Sequence, residues 1–324
     1  MTTTGRADDK LEIAIVGAGR VGSSTAFAAL VGGLADTITL VDFDPARAEG
    51  EAMDLIHGLP FVAPATVRSG GLDACRDADV IVLTAGAARQ PGDTRLDLAK
   101  RNLDLFRDLV PRVVEQTRDA VLVVVSNPVD LLTLATQRLS GLPSNQVLGS
   151  GTMLDTARLR SLLAQYFRID ARSVHAHVIG EHGDSQVVPW SQARLGGAPI
   201  GQFAHDIGKE WSEETGVRIR GEVVHAGAEV IRRKGATHYA IGLVAARLAR
   251  TIARNERSVL TVSTPLDGQH GLRDVSLSLP CVVGRTGVEH VVNLPLEPQE
   301  LQALASSAKA LQEVYEKVGG PSGK

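Results

Sequence analysis

Ile13–Gly22 reads I-A-I-V-G-A-G-R-V-G, and twenty residues past its last glycine Asp42 ends a second apolar run, I-T-L-V-D. That pairing constrains the first half of the chain more than any other feature. Gly17 permits the tight turn that ends a strand, and Gly19 lets a pyrophosphate approach the backbone. Gly22 lets the next helix, about Arg20–Val31, sit close to the sheet. The helix start offers N–H groups to phosphate oxygens, which brings Arg20 and Val21 into the expected cofactor contact. Asp42 is in register to accept hydrogen bonds from a ribose diol, and its charge repels the extra phosphate of NADP. NAD is therefore the expected cofactor.

The same alternation continues along the chain. Leu11–Val16, Ile38–Val41, Val80–Thr84 and Val121–Val125 are continuous apolar runs, as strands buried on both faces of a parallel sheet require. Val21–Leu30, Ala46–Ile56 and Leu96–Gln116 read as helices, the last with Leu98, Leu103, Phe106, Val110 and Val113 on one stripe. This predicts an α/β fold: a doubly wound parallel-sheet Rossmann domain over residues 1–149, with its ligand at the carboxyl ends of the strands. Residues 150–324 predict a smaller α+β substrate domain. Its helices are expected at Thr152–Tyr166, Glu222–Arg233, His238–Arg254 and Glu300–Val318. Its strands are expected at Val174–Ile179, Val259–Ser263, Val275–Pro280 and Val282–Asn293. The cleft between the two is the expected substrate site.

Bulk properties narrow the partners. The 324 residues carry a net charge of −3 with signs interspersed and only 3 % aromatics, so neither a basic face nor a stacking platform for nucleic acid is present. No run has the length and apolarity of a membrane helix, and the first ten residues lack an apolar signal core. Cys75 and Cys281 form no metal or redox motif, which fits buried filler in a reducing cytoplasm.

Three polar segments interrupt this apolar background. Thr84–Arg95 leaves the carboxyl end of a strand. Thr84, Ala85 and Gly86 face the cofactor side, while Arg89 and Arg95 ride on a loop able to close over a ligand. Val125 and Asn127 end the next strand, where the Asn127 amide can hold a nicotinamide ribose or a substrate oxygen. Asn127 also suits a helix N-cap, with Pro128 at the first helical position. Third, Asp155 and Arg158 share a helix face, and His182 follows a strand inside a glycine-bracketed loop. An aspartate on one ring nitrogen fixes the tautomer and raises the basicity of the other. An arginine fork grips a carboxylate. Carboxylate clamp, His–Asp pair and NAD together suit oxidation of a 2-hydroxy acid. His175 and His177 point the same way along their strand, but no carboxylate or cysteine completes a ligand set, so no metal site is expected.

With these segments in place the chain resembles the L-lactate/malate dehydrogenase family, in its lactate-dehydrogenase-like branch. S-N-P-V-D at Ser126–Asp130, L-D-T-A-R at Leu154–Arg158, I-G-E-H-G-D at Ile179–Asp184 and K-G-A-T at Lys234–Thr237 carry the resemblance, which runs over nearly the whole chain. It implies His182 as the proton-transfer histidine with Asp155 its partner, and Arg158 as the binder of the C1 carboxylate. It also implies Arg95 as the mobile-loop arginine, Asn127 beside the substrate oxygen and Thr237 in the side-chain pocket. A homo-oligomer, tetramer or dimer, is implied as well.

Arg89 matches the position that reads the far end of the substrate, where arginine goes with malate and glutamine with lactate. An enclosed guanidinium without a partner costs several kcal/mol (of order ~3–4), more than one methylene in a pocket at about 1–3 kcal/mol. The expected reaction is therefore oxidation of the dicarboxylate L-malate to oxaloacetate, a step of the tricarboxylic acid cycle. L-Lactate and pyruvate are the alternative, toward which Glu181, Thr237 and the stretch Asp93–Leu98 lean. A nucleotide-sensing module without turnover is the reading from another class.

Overall fold

The computed structural model describes residues 10–87, 92 and 94–322. The first half runs β1 (Glu12–Val16), α1 (Arg20–Val31), β2 (Thr37–Val41), α2 (Pro45–His57), β3 (Thr66–Gly70), β4 (Val80–Leu83), α3 (Arg95–Val114), β5 (Val121–Val124), α4 (Val129–Ser140) and β6 (Val147–Gly149). Its strands pair in parallel in the order β3-β2-β1-β4-β5-β6. The order reverses between β1 and β4, and at such a switch point helices leave on opposite faces and open a crevice at the carboxyl ends.

The second half runs α5 (Met153–Phe167), β7 (Val174–His175), β8 (Arg194–Leu195), β9 (Ala198–Pro199), α6 (Ile200–Asp206), α7 (Glu213–Lys234), α8 (Tyr239–Ala253), β10 (Ser258–Asp267), β11 (Arg273–Gly284), β12 (Gly287–Val291) and α9 (Pro298–Lys317). The antiparallel strands β10–β12 extend the first sheet. Ser263 of β10 pairs with Gly149 of β6, giving one nine-stranded sheet across both halves. Among the described residues, β7–β9 form a separate small sheet.

Alternation along the strands divides the core by face. Ile13, Ile15, Ile38 and Leu40 pack with Leu248, Ile252, Val262 and Leu277. Ala14, Val16, Ile81 and Leu83 pack with Leu103, Phe106 and Val110 of α3, the stripe expected from sequence.

Several elements depart from expectation for local reasons. β3 buries one residue of five and β6 has three residues, so neither stands out as an apolar run. Helix α7 begins nine residues earlier than expected, at Glu213, where the Ser212 hydroxyl caps the Thr215 N–H; internal glycines at 216 and 221 conceal this in the sequence. Pro128 occupies the N-cap of α4, one place before the position its ring suits. The expected strand Val174–Ile179 keeps ladder pairing at Val174–His175 and a single antiparallel bridge from Ile179 to Val187. At Val178 side-chain hydroxyls substitute for a neighbouring strand: Thr156 accepts its N–H at 3.0 Å and Thr152 donates to its carbonyl at 2.5 Å.

Candidate active site

The turn between β1 and α1 is built as a phosphate cradle. Gly17 lies at φ +110, and its N–H donates to Val41 O at 2.7 Å. A Cβ on Gly17 would fall 2.5 Å from Ala85 N, and one on Gly22 only 1.9 Å from Gly17 O. A Cβ on Gly19 would meet nothing within 4 Å, which leaves that side of the turn open to a ligand. Helix α1 has no side-chain cap and no acidic residue in its first turn, so no side chain of its own competes for its leading N–H groups. Asp42 accepts from Ala18 N at 2.7 Å through Oδ2 and from Asp44 N at 2.9 Å through Oδ1. It thus braces the turn, and each oxygen retains acceptor capacity for a ribose hydroxyl. The Thr84 hydroxyl donates to Gly17 O at 2.7 Å and ties the end of β4 beneath the turn. These features fit an NAD pyrophosphate and ribose.

A cavity of about 320 Å3 runs from Val21, in the first turn of α1, into the second half. Val21, Val125, Asn127, Asp155, Arg158, His182 and Thr237 all line it, so seven expected site residues from five segments meet around one space. A larger cleft of about 890 Å3 opens on the other side of Arg158 and Thr237, among Leu162, His225, Val230 and Tyr239. Asp155 and His182 line only the smaller cavity, and Arg158 borders both.

His182 Nδ1 meets Asp155 Oδ2 at 2.5 Å, and Arg158 Nη1 donates to Asp155 Oδ1 at 3.0 Å. Burial favours a neutral Asp155, but the hydrogen bond and charge of His182, together with Arg158, outweigh it. Its pKa lies below the ordinary carboxylate value. Burial likewise disfavours a charged His182, while the Asp155 bond and the charges of Asp155 and Asp130 hold its pKa above the ordinary imidazole value. With Nδ1 committed to Asp155, Nε2 is the atom left for substrate.

Arg95 begins α3, and its Nη1 pairs with Asp184 Oδ2 at 2.6 Å, two residues past His182. Arg20 and Asn127 are exposed at the rim. Arg89, on which the malate expectation rests, lies outside the described residues.

Sequence reasoning missed two polar residues, Asn102, which is buried, and Arg220, which is half-buried. Asn102 of α3 accepts from Ala87 N at 2.6 Å and donates to Asn127 O at 2.7 Å, joining the loops after β4 and β5. Its signal was an amide inside an otherwise apolar helical stripe. Arg220 of α7 binds the carbonyls of Asp184 and Gln186, at 3.3 and 2.9 Å through Nη2, and so fastens the His182 loop.

Residues 11–149 match the family described as lactate/malate dehydrogenase, NAD binding domain, and residues 152–319 the lactate/malate dehydrogenase alpha/beta C-terminal domain. The chain belongs to the lactate/malate dehydrogenase family. Its cofactor is accordingly NAD. It is 45 % identical over 303 residues to an L-lactate dehydrogenase of Acetivibrio thermocellus, covering 94 % of this chain and 96 % of that one. It is 48 % identical over 304 residues to an L-lactate dehydrogenase of a Synechococcus species, covering 94 % and 98 %. The crystal structure of a minor L-lactate dehydrogenase from Enterococcus mundtii superposes with a TM-score of 0.93 at 39 % identity, covering 96 % and 99 %.

These relatives correct the malate expectation, and with it the tricarboxylic acid cycle: their names favour the lactate alternative. The physical reason lies in a premise. An unpartnered cation is costly only when it is enclosed with the substrate, and a residue type in a loop does not establish enclosure. Glu181, Thr237 and the stretch Asp93–Leu98 carried the opposite signal.

Proposed function

We propose that this enzyme interconverts L-lactate and pyruvate with NAD. The observation that carries the reading is the His182–Asp155–Arg158 constellation on a cavity that reaches Val21 in the first turn of α1, just past Gly19. The names of the relatives support this substrate. Gly17, Gly19, Arg20, Val21, Gly22 and Asp42 hold the pyrophosphate and ribose, with Thr84, Ala85, Gly86, Val125 and Asn127 lining the way to the nicotinamide. When bound, NAD supplies the two-electron acceptor.

The remaining chemistry belongs to the chain. Arg158 grips the substrate carboxylate as a planar fork, which fixes the orientation of C2. His182 Nε2 accepts the hydroxyl proton during oxidation, and Asp155 stabilises the resulting imidazolium. In reduction the protonated ring returns that proton to the carbonyl oxygen. Asn127 and Thr237 bound the space around the reacting oxygen and the methyl group. Arg95 is 78 % exposed and Asp184 68 %. An ion pair so exposed contributes about 0–1 kcal/mol, so the guanidinium can leave Asp184 at small cost. It can then turn to polarise the carbonyl.

The deciding test is the initial rate with NADH on pyruvate and on oxaloacetate. Faster turnover of pyruvate at matched subsaturating concentrations is expected; preference for oxaloacetate overturns the substrate assignment. The division at residues 149/150 and a cytoplasmic setting, suited to two free buried thiols, complete the proposal. We also propose a homo-oligomer, dimer or tetramer. Phe27 and Val31 of α1 and Leu243 of α8 stand exposed beside the packing of Gly242 on Ser24.

A further inference from the structure

Asp130 closes the S-N-P-V-D stretch, and the mechanism above gives it no part. It lies in the first turn of α4 and is 2 % exposed. Its Oδ2 accepts the backbone N–H of His182 at 2.7 Å. The same histidine is held through its ring by Asp155 Oδ2 at 2.5 Å. Two carboxylates, from α4 and α5, therefore grip one residue by its main chain and its ring.

A backbone N–H needs only a neutral acceptor, and a buried carboxylate is an expensive one. Burial pushes the Asp130 pKa up to about 6, against the opposing effects of the Ser263 hydroxyl, the His182 N–H and the His182 charge; Glu181 adds to the rise. Around it stand His182 and Glu181 from the loop, Asp274 from β11 and Tyr315 from α9. Arg138 of its own helix pairs with Asp274 at 3.0 Å. None of these is a cation bonded to Asp130. Its charge acts instead on the His182 ring, where Asp130 joins Asp155 in favouring the protonated form.

We propose that Asp130 is a positioning residue for proton transfer: it anchors the His182 main chain to α4 so that the ring reaches Asp155, and its negative charge favours the imidazolium. The proposal rests on reading His182 as the proton-transfer group.

The test is Asp130→Asn, which keeps size and an oxygen acceptor but removes the charge. In pyruvate reduction kcat is expected to fall up to about 10-fold at pH ~8 through loss of the charge that helps hold the proton on His182. NADH affinity, read by fluorescence, should stay within about two-fold, as its cradle is elsewhere. The alkaline limb of the kcat profile should move down by about one pH unit, because a nearby negative charge is lost. The melting temperature at that pH should hold or rise, since a buried charge is removed. A purely structural residue would lower the melting temperature and leave the limb in place; that result, or wild-type kinetics, overturns the proposal. If Asp130→Asn fails to fold, Asp130→Ser is expected to move the limb the same way, and an unmoved limb overturns it equally. His182→Gln separates the two readings. An inactive His182→Gln beside a normal Asp130→Asn defeats only this proposal, whereas an active His182→Gln defeats the reading beneath it.

Discussion

His182 carries its proton under opposing influences. Burial pushes the proton off, while Asp155 and Asp130 pull it on, and the net direction is upward from the ordinary 6.5. The consequence for turnover has a definite sign. Pyruvate reduction needs the imidazolium, so its rate is expected to hold through pH 6.5 and to fall only as pH rises through the higher folded value. Lactate oxidation needs the neutral ring and should rise over the same window. Initial rates in both directions between about pH 5.5 and 9.5 check this; a reduction limb centred below 6.5 contradicts the assigned electrostatics. Stability follows the same signs. The raised His182 contribution is fully present below its ordinary pKa and is lost as pH rises through the folded one. The lowered Asp155 contribution is present above the ordinary carboxylate value of 3.8 and is lost as pH falls through the folded one.

At the scale of elements, the β1–turn–α1 unit shows what a sequence can and cannot disclose. The spacing of Gly17, Gly19, Gly22 and Asp42 located the strand, the turn and the helix, because Gly17 and Gly22 answer local steric demands. The substitution Gly22→Ala tests that demand. Its Cβ would sit 1.9 Å from Gly17 O, so the helix must move away from the turn. Overpacking of this kind costs about 1–3 kcal/mol, and the displaced N–H groups no longer converge on a phosphate. Titration with NADH is expected to show affinity weakened at least about 10-fold; unchanged affinity would show that the turn tolerates the methyl group. Other elements were hidden because their stability is borrowed from neighbours. Strand β6 has three residues and exists through β5 on one side and β10 on the other. The segment before His182 looks like a strand, yet at Val178 the hydroxyls of Thr152 and Thr156 take the place of a neighbouring strand. Asn102 was passed over for the same reason: its partners, Ala87 and Asn127, become neighbours only in the folded chain.

At the scale of the molecule, the sequence divides into two compositional halves, and the structure joins them through a shared sheet. The Ser263–Gly149 pairing and the packing of Ile13 and Ile15 with Leu248, Val262 and Leu277 place residues of both halves in one core. Neither half can leave without exposing the other's apolar face, at about 25 cal/mol for each Å2 uncovered. The chain is therefore expected to melt in one calorimetric transition with equal calorimetric and van't Hoff enthalpies. NADH contacts the first half for most of its length, yet it should move the whole transition upward. At a hundred times its dissociation constant the stabilisation is about 2.7 kcal/mol. Repeating the scan over a range of protein concentrations separates subunit association, which makes the midpoint concentration-dependent, from coupling within the chain. Two resolved transitions at every concentration, with only the first moved by NADH, would show that the halves unfold independently and that the joined sheet is too weak to couple them.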